Sequence, residues 1–171
     1  DTRNGTGAAI GWRCLKAWIR RHETPRMILS PGSAALVLAA TLTAGAALLH
    51  LVVILQGPRG YRWAGAGNRI VAAARKGRRY PTVITALIAL VLAAWSAYAL
   101  SGAGVIAPLP CLRPVLVVIT SVFLLRAVVG PFVLVGNGRS RRFAWVSSAV
   151  CLVYGMAFLV GLAGRWTLLA G

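Results

Sequence analysis

Two ionisable side chains, His50 and Arg126, stand deep inside otherwise uncharged stretches of this chain. An imidazole can donate and accept a hydrogen bond, and a guanidinium presents a fixed fork of N–H donors that suits carboxylate or phosphate. Hydroxyls of Thr85, Ser147 and Ser148 fall at the same ends of their own apolar runs. Together, His50, Arg126, Thr85 and Ser148 would make a polar layer able to receive an anion. That anion would be a lipid headgroup, a small carboxylate or phosphate, or an acidic residue of a partner. The acidic residues, Asp1 and Glu23, lie far from these runs. Arg126 therefore has no carboxylate partner there, and proton relays and metal sites ordinarily need such groups. The plainer alternative has Arg126 snorkelling past Gly130-Pro131 to the headgroups while His50 bonds a neighbouring helix. Ile119, Val122 and Val129 share a helical face with Arg126, which favours that alternative, because long cationic stems lie easily along apolar surface.

Catalysis has little footing. A single imidazole without a placed nucleophile or carboxylate is not a triad, and haem would want a second axial ligand in register. Cys14, Cys111 and Cys151 are far apart, with no C-x-x-C spacing, which supports neither a disulfide framework nor zinc. Gly65-Ala66-Gly67 follows no strand, so it is not a phosphate-cradling loop. The expectation is a protein that is not an enzyme, with no cofactor and no metal.

The elements that must position these residues are membrane spans. Of 171 residues, 58% are hydrophobic and only 12% are charged, and the apolar residues come in long blocks. A hydrocarbon core of about 30 Å takes about 20 residues of helix, which satisfies its own backbone polar groups as lipid cannot. Spans are expected at about 34–55, 83–106, 114–135 and 143–163. The third carries Arg126, at a cost of roughly 2.5–3.5 kcal/mol, while each Leu, Ile, Val or Phe returns about 0.3–0.6. Fifteen such residues lie from Val115 to Val135, so insertion wins. Gly130-Pro131 should bend or end that helix.

Small residues recur along the spans at helical spacing. Ala40, Thr43, Ala47 and His50 share one face, as do Ala86, Ala89, Ala93 and Ser96, and also Ala144, Ser148, Cys151 and Gly155. Such seams let helices approach closely in lipid. Ser101-Gly102-Ala103-Gly104 should loosen the exit from the second span, with Trp95 and Tyr98 toward the far interface. After the first span, Gly57-Pro58 breaks the chain into a basic stretch. A short helix in the headgroup plane is expected there, with Tyr61 and Trp63 as anchors and Arg62, Arg69, Arg75 and Lys76 meeting lipid phosphates. The fold class is thus an all-α membrane protein, a four-helix transmembrane bundle with a short interfacial helix after the first span.

Residues 1–26 differ from the rest, holding both acids and six basic residues. Two readings stay open for this basic N-terminal tail. It is read-through ahead of a natural start at Met27, or an amphipathic tail in which Trp12, Leu15, Trp18 and Ile19 recur at helical spacing. A secretory signal fits less well, because the uncharged run from Met27 is longer than a signal core of about 7–15 residues. Residues 27–171 form the four-span domain.

The formal net charge of +17 does not point to nucleic acid, since most cations flank apolar spans rather than a water-facing module. Anionic headgroups are the plainer partner, at about 1 kcal/mol per basic residue. The loops after the first and third spans carry seven and three basic residues, against Arg113 and Arg165 on the other side, with six more there if the tail of residues 1–26 is native. Basic loops stay cytoplasmic, so both termini are expected outside the cytoplasm.

The chain resembles a group of uncharacterised small four-span bacterial inner-membrane proteins. The likeness rests on His50, on Gly57-Pro58 with Tyr61-Arg62 and Gly65-Ala66-Gly67, on Tyr98-Ala99-Leu100-Ser101-Gly102-Ala103-Gly104 and on Leu124-Leu125-Arg126. It covers about residues 46–160. Those proteins look as though they carry Glu where this chain has Asn68, and an acid near Arg75 that this chain lacks. The resemblance implies the fold, the bacterial inner membrane and Met27 as start, and no activity. The expected role is a non-enzymatic accessory or assembly component, within a membrane complex or a homo-oligomer. The alternative is a binding protein or carrier for an anionic or lipid-like ligand that uses Arg126 and His50.

Overall fold

The structure is a computed structural model that describes residues 30–136 and 141–170. The readings of residues 1–26 and of Met27 lie outside the described residues, as does Arg139. Four long helices dominate: α1 (Pro31–Gln56), α4 (Tyr80–Ala103), α5 (Leu112–Gly136) and α6 (Arg141–Gly164). Their mean hydropathies are 2.2, 2.2, 2.2 and 2.1, and each is long enough to cross a membrane. The chain is a multi-pass membrane protein of all-α class. Each helix begins two or three residues before the expected span, and α4 also ends three residues early.

The early starts have local causes. Ser30 caps α1 by accepting from the Ser33 N–H at 3.2 Å, and Pro31 occupies the first turn, where no N–H is needed. Pro81 does the same for α4. In α5 the helix runs through Pro131 to Gly136 instead of ending at Gly130-Pro131. A proline removes one backbone bond, and a membrane helix tolerates it where neighbouring groups resatisfy the freed carbonyl.

The connection after α1 holds two short helices rather than one: α2 (Pro58–Trp63) and α3 (Asn68–Arg75). Gly65 and Gly67, at φ 66° and 86°, turn the chain between them in a region that favours glycine. The roll of α2 differs from the expected pair of interfacial anchors. Trp63 is 72% exposed and fits that role, but Tyr61 is only 3% exposed and turns into the protein.

The helices pair as two antiparallel hairpins, α1 with α4 and α5 with α6, and α1 against α6 joins them. Small residues line these contacts. On α1, Ala39, Ala40, Thr43 and Ala47 are buried, and His50 closes that seam half-buried at its rim. On α6, Ala144, Ser148 and Gly155 are buried and Cys151 half-buried, as the spacing implied. On α4 the inward face is Ala89, Leu92, Ser96, Ala99 and Ala103, whereas Ala86 and Ala93 are exposed. The seam turns by about one residue because Ser96 donates to the Ala40 carbonyl across the hairpin at 2.9 Å.

Large apolar side chains point outward, Leu55 reaching 85% exposure. That inversion suits lipid, which solvates Leu as well as a protein interior does. Within the bundle Phe123 is the hub. Trp95 and Tyr154 meet it edge-on at 5.2 and 5.4 Å, and Phe158 stacks on it at 5.7 Å. Trp95 therefore faces the bundle interior.

Backbones of two long helices come close where α1 crosses α6. A β-carbon at Gly164 would lie 2.9 Å from the Gly32 Cα, and one at Gly161 would overlap Leu36. The exit from α4 is fixed, not loose. Ser101 is buried; its hydroxyl donates to the Ala107 carbonyl at 3.0 Å and accepts from the Leu109 N–H at 2.9 Å. Gly104 ends the helix in the left-handed region at φ 80°. At the same end Arg113 lies over the Trp166 ring, 3.6 Å from its centroid.

Candidate functional site

Arg126 belongs to the inward face of α5. Leu116, Ile119 and Phe123 are buried there at spacings of three and four residues. Arg126 and Gly130 continue that row, and Gly130 is buried as well. Val122 and Val129, expected beside Arg126, are exposed on the outer side instead. The guanidinium folds back along its own helix over Gly130, in the space where a β-carbon would stand. From there Nη2 donates to the Ser147 hydroxyl of α6 at 3.2 Å. Nη1 is enclosed and has no hydrogen-bond partner. The Ser148 hydroxyl, on a residue 4% exposed, flanks the same space and also has none. Arg126 thus reaches toward the loop end of its helix, as a snorkelling side chain does, but between α5 and α6.

His50 is satisfied within α1. Its Nδ1 lies 2.7 Å from the Ala46 carbonyl, and a carbonyl only accepts, so Nδ1–H donates to it. Thr85 donates to the Pro81 carbonyl of its own helix at 2.8 Å. The polar layer expected of His50, Thr85, Arg126 and Ser148 is therefore split. Arg126, Ser147 and Ser148 come together where α5 meets α6. His50 and Thr85 sit on the α1–α4 hairpin, and among the described residues no hydrogen bond joins them to Arg126.

The cations at the loop end have a geometry of their own. Gln56 ends α1, and Gly57 turns the chain at φ 58° into α2. That corner is tight: a β-carbon at Gly60 would lie 2.6 Å from the Val53 carbonyl oxygen. Arg59 and Arg62 follow three apart, which puts them on one face of α2. The α2–α3 turn rests against α6, where a β-carbon at Gly65 would come within 2.5 Å of the Phe143 ring. This brings the end of α3 round, so that Arg75 joins Gln56, Pro58, Arg59 and Arg62 about one cleft of about 450 Å³. Arg69 and Lys76, expected to act with Arg62 and Arg75, are exposed but do not line it. Arg59 and Gln56 are the residues that sequence reasoning missed. Their signal was the three-residue spacing of Arg59 and Arg62 straight after a forced turn.

These groups carry charge and hydrogen bonding. Cys111 is exposed and Cys151 half-buried, and both are free thiols. Among the described residues no three of His, Cys, Asp and Glu gather as a metal site would require. No family model matches the chain, and no curated protein or solved structure matches it.

Proposed function

We propose that this chain is a non-enzymatic accessory or assembly component of the bacterial inner membrane, held in place by a basic end that engages anionic headgroups. The observation that carries the reading is the one-sided placement of charge. Nine described cations outside the apolar runs (Arg59, Arg62, Arg69, Arg75, Lys76, Arg78, Arg79, Arg141 and Arg142) gather at one end of the bundle. Arg113 and Arg165 stand at the other. Nine against two among the described residues, or ten against eight over the whole sequence with the tail and Arg139 counted, supports a cytoplasmic cationic end, since basic loops stay inside. The likeness to small four-span bacterial proteins supports the same membrane.

Cys111 tests the orientation, because it is exposed in the connection between α4 and α5. In a Cys14→Ser background, a membrane-impermeant maleimide added to intact cells or spheroplasts should label the chain, and Cys111→Ser should abolish the label. Labelling only after the membrane is opened would invert the topology. The accessory role is tested by cross-linking in native membranes followed by mass spectrometry. The expected result is reproducible adducts to another membrane protein or to a second copy. A chain recovered only as a monomer would overturn the role.

The alternative, a receptor for an anionic ligand, finds its better support at the loop end. His50 and Arg126 are each engaged elsewhere, whereas three guanidiniums converge there.

A further inference from the structure

We propose that the cleft between α2 and α3 is a discrete binding site for a phosphate-bearing anion of two or more negative charges. Its lining is Arg59 and Arg62 from one face of α2, Arg75 from the end of α3, and the Gln56 amide from the end of α1. This deepens the reading of the basic end, on which only its lipid source depends.

Three observations carry it. Among the described residues no acid lines the cleft. Three like charges about one space repel one another, and the arrangement is relieved by an anion between them. The cleft is also built rather than incidental. The segments that carry its arginines are positioned by the positive-φ turn at Gly57, by Gly60 pressed on the Val53 carbonyl and by Gly65 against Phe143. Finally, the donors fit phosphate better than carboxylate. One guanidinium fork satisfies a carboxylate, whereas a tetrahedral group with three terminal oxygens can accept from several forks and an amide at once. About 450 Å³ is ample for such a group.

The site sits beside Trp63, which is exposed as an interfacial anchor would be. A phosphomonoester headgroup in the inner leaflet and a free polyphosphate in the cytoplasm present the same chemistry to it. The test separates them. The full chain in uncharged detergent is unfolded thermally with inorganic pyrophosphate, and in parallel in mixed micelles containing phosphatidic acid. At about 100 times the dissociation constant, the melting temperature should rise by roughly 5–10 °C. A rise with pyrophosphate assigns a soluble anion, and a rise only with phosphatidic acid assigns a lipid; either supports the site.

Arg62→Gln and Arg75→Gln should each weaken binding by about tenfold or more, as loss of a charge-assisted fork does. Lys76→Gln and Arg78→Gln remove the same charge outside the cleft and should change it by less than about twofold. All four side chains are exposed, so the variants should fold, and Arg59→Gln gives a third cleft variant should one fail. Equal weakening by cleft and control variants would reduce the site to diffuse surface charge and overturn it. So would no shift with either probe, and neither result would touch the cross-linking outcome above.

Discussion

Gly161→Val is expected to loosen or break the joint between the two hairpins. Even a β-carbon at Gly161 overlaps Leu36, whose own backbone nitrogen would lie 3.2 Å away, so neither partner can yield by rotating a long side chain. Leu36 is wholly buried and cannot swing outward. Overpacking of this kind costs about 1–3 kcal/mol in well-packed cores, and more where backbone must shift. In lipid the loss is not cushioned by a hydrophobic drive between helices, because close contact is what holds them. Reversible unfolding in mixed micelles measures it. The compensating change is Leu36→Ala, which empties the space that the new side chain enters. The double variant should recover at least half of the loss, a coupling well within the 0.5–3 kcal/mol seen for contacting pairs. A Gly161→Val chain as stable as the parent would show that α1 and α6 do not meet at this depth.

The second large effect is expected at Gly130, through Arg126. A β-carbon at Gly130 would stand where Nη1 does, and 2.8 Å from the Ser148 hydroxyl. Gly130→Ala should therefore expel the guanidinium from between α5 and α6 and break its bond to Ser147. The charge must then find headgroups past a half-apolar surface, at a cost of about 1–3 kcal/mol. Arg126→Leu alone gives up that bond, but it removes a residue costing roughly 2.5–3.5 kcal/mol at a helix centre, so this variant should insert at least as well as the parent. The informative chain is the double variant. With no guanidinium to displace, Gly130→Ala should become nearly neutral in the Arg126→Leu background. If it destabilised both backgrounds equally, Gly130 would matter for helix packing alone and the guanidinium would not occupy that space.

These two sites also show how far the residues could be read without coordinates. The four spans were legible because hydropathy depends on composition over a long window, and their limits were missed by only a few residues, as where the Ser30 cap and the first-turn Pro81 extended the helices. The inward faces of α1 and α6 were legible because each offers one coherent row of small residues. On α4 the pattern was ambiguous. Ala86, Ala89, Ala93, Ala94, Ala97 and Ala99 are spread around the helix, and only the bond from Ser96 to Ala40 selects the face. Arg126 was misplaced for a related reason. A helix apolar on every side gives no contrast between lipid and protein, so Val122 and Val129 looked as eligible as Phe123 to be its neighbours. Of the arginine cleft only the Arg59–Arg62 spacing was legible along the chain, because Arg75 joins that pair only through the positive-φ turns at Gly57, Gly65 and Gly67.

The order of neighbours across the bundle, α4, α1, α6, α5, bears on how the protein is made. The first hairpin leaves the ribosome with both its helices, yet the flank of α1 that carries Gly32 has no mate until the last long helix has been translated. Biogenesis therefore has a waiting period, in which a half-finished chain presents a smooth glycine- and alanine-lined strip to the bilayer. Contacts between sequence-distant segments close slowly, and during that interval the strip is open to insertion factors, to quality-control proteases and to helices of other nascent chains.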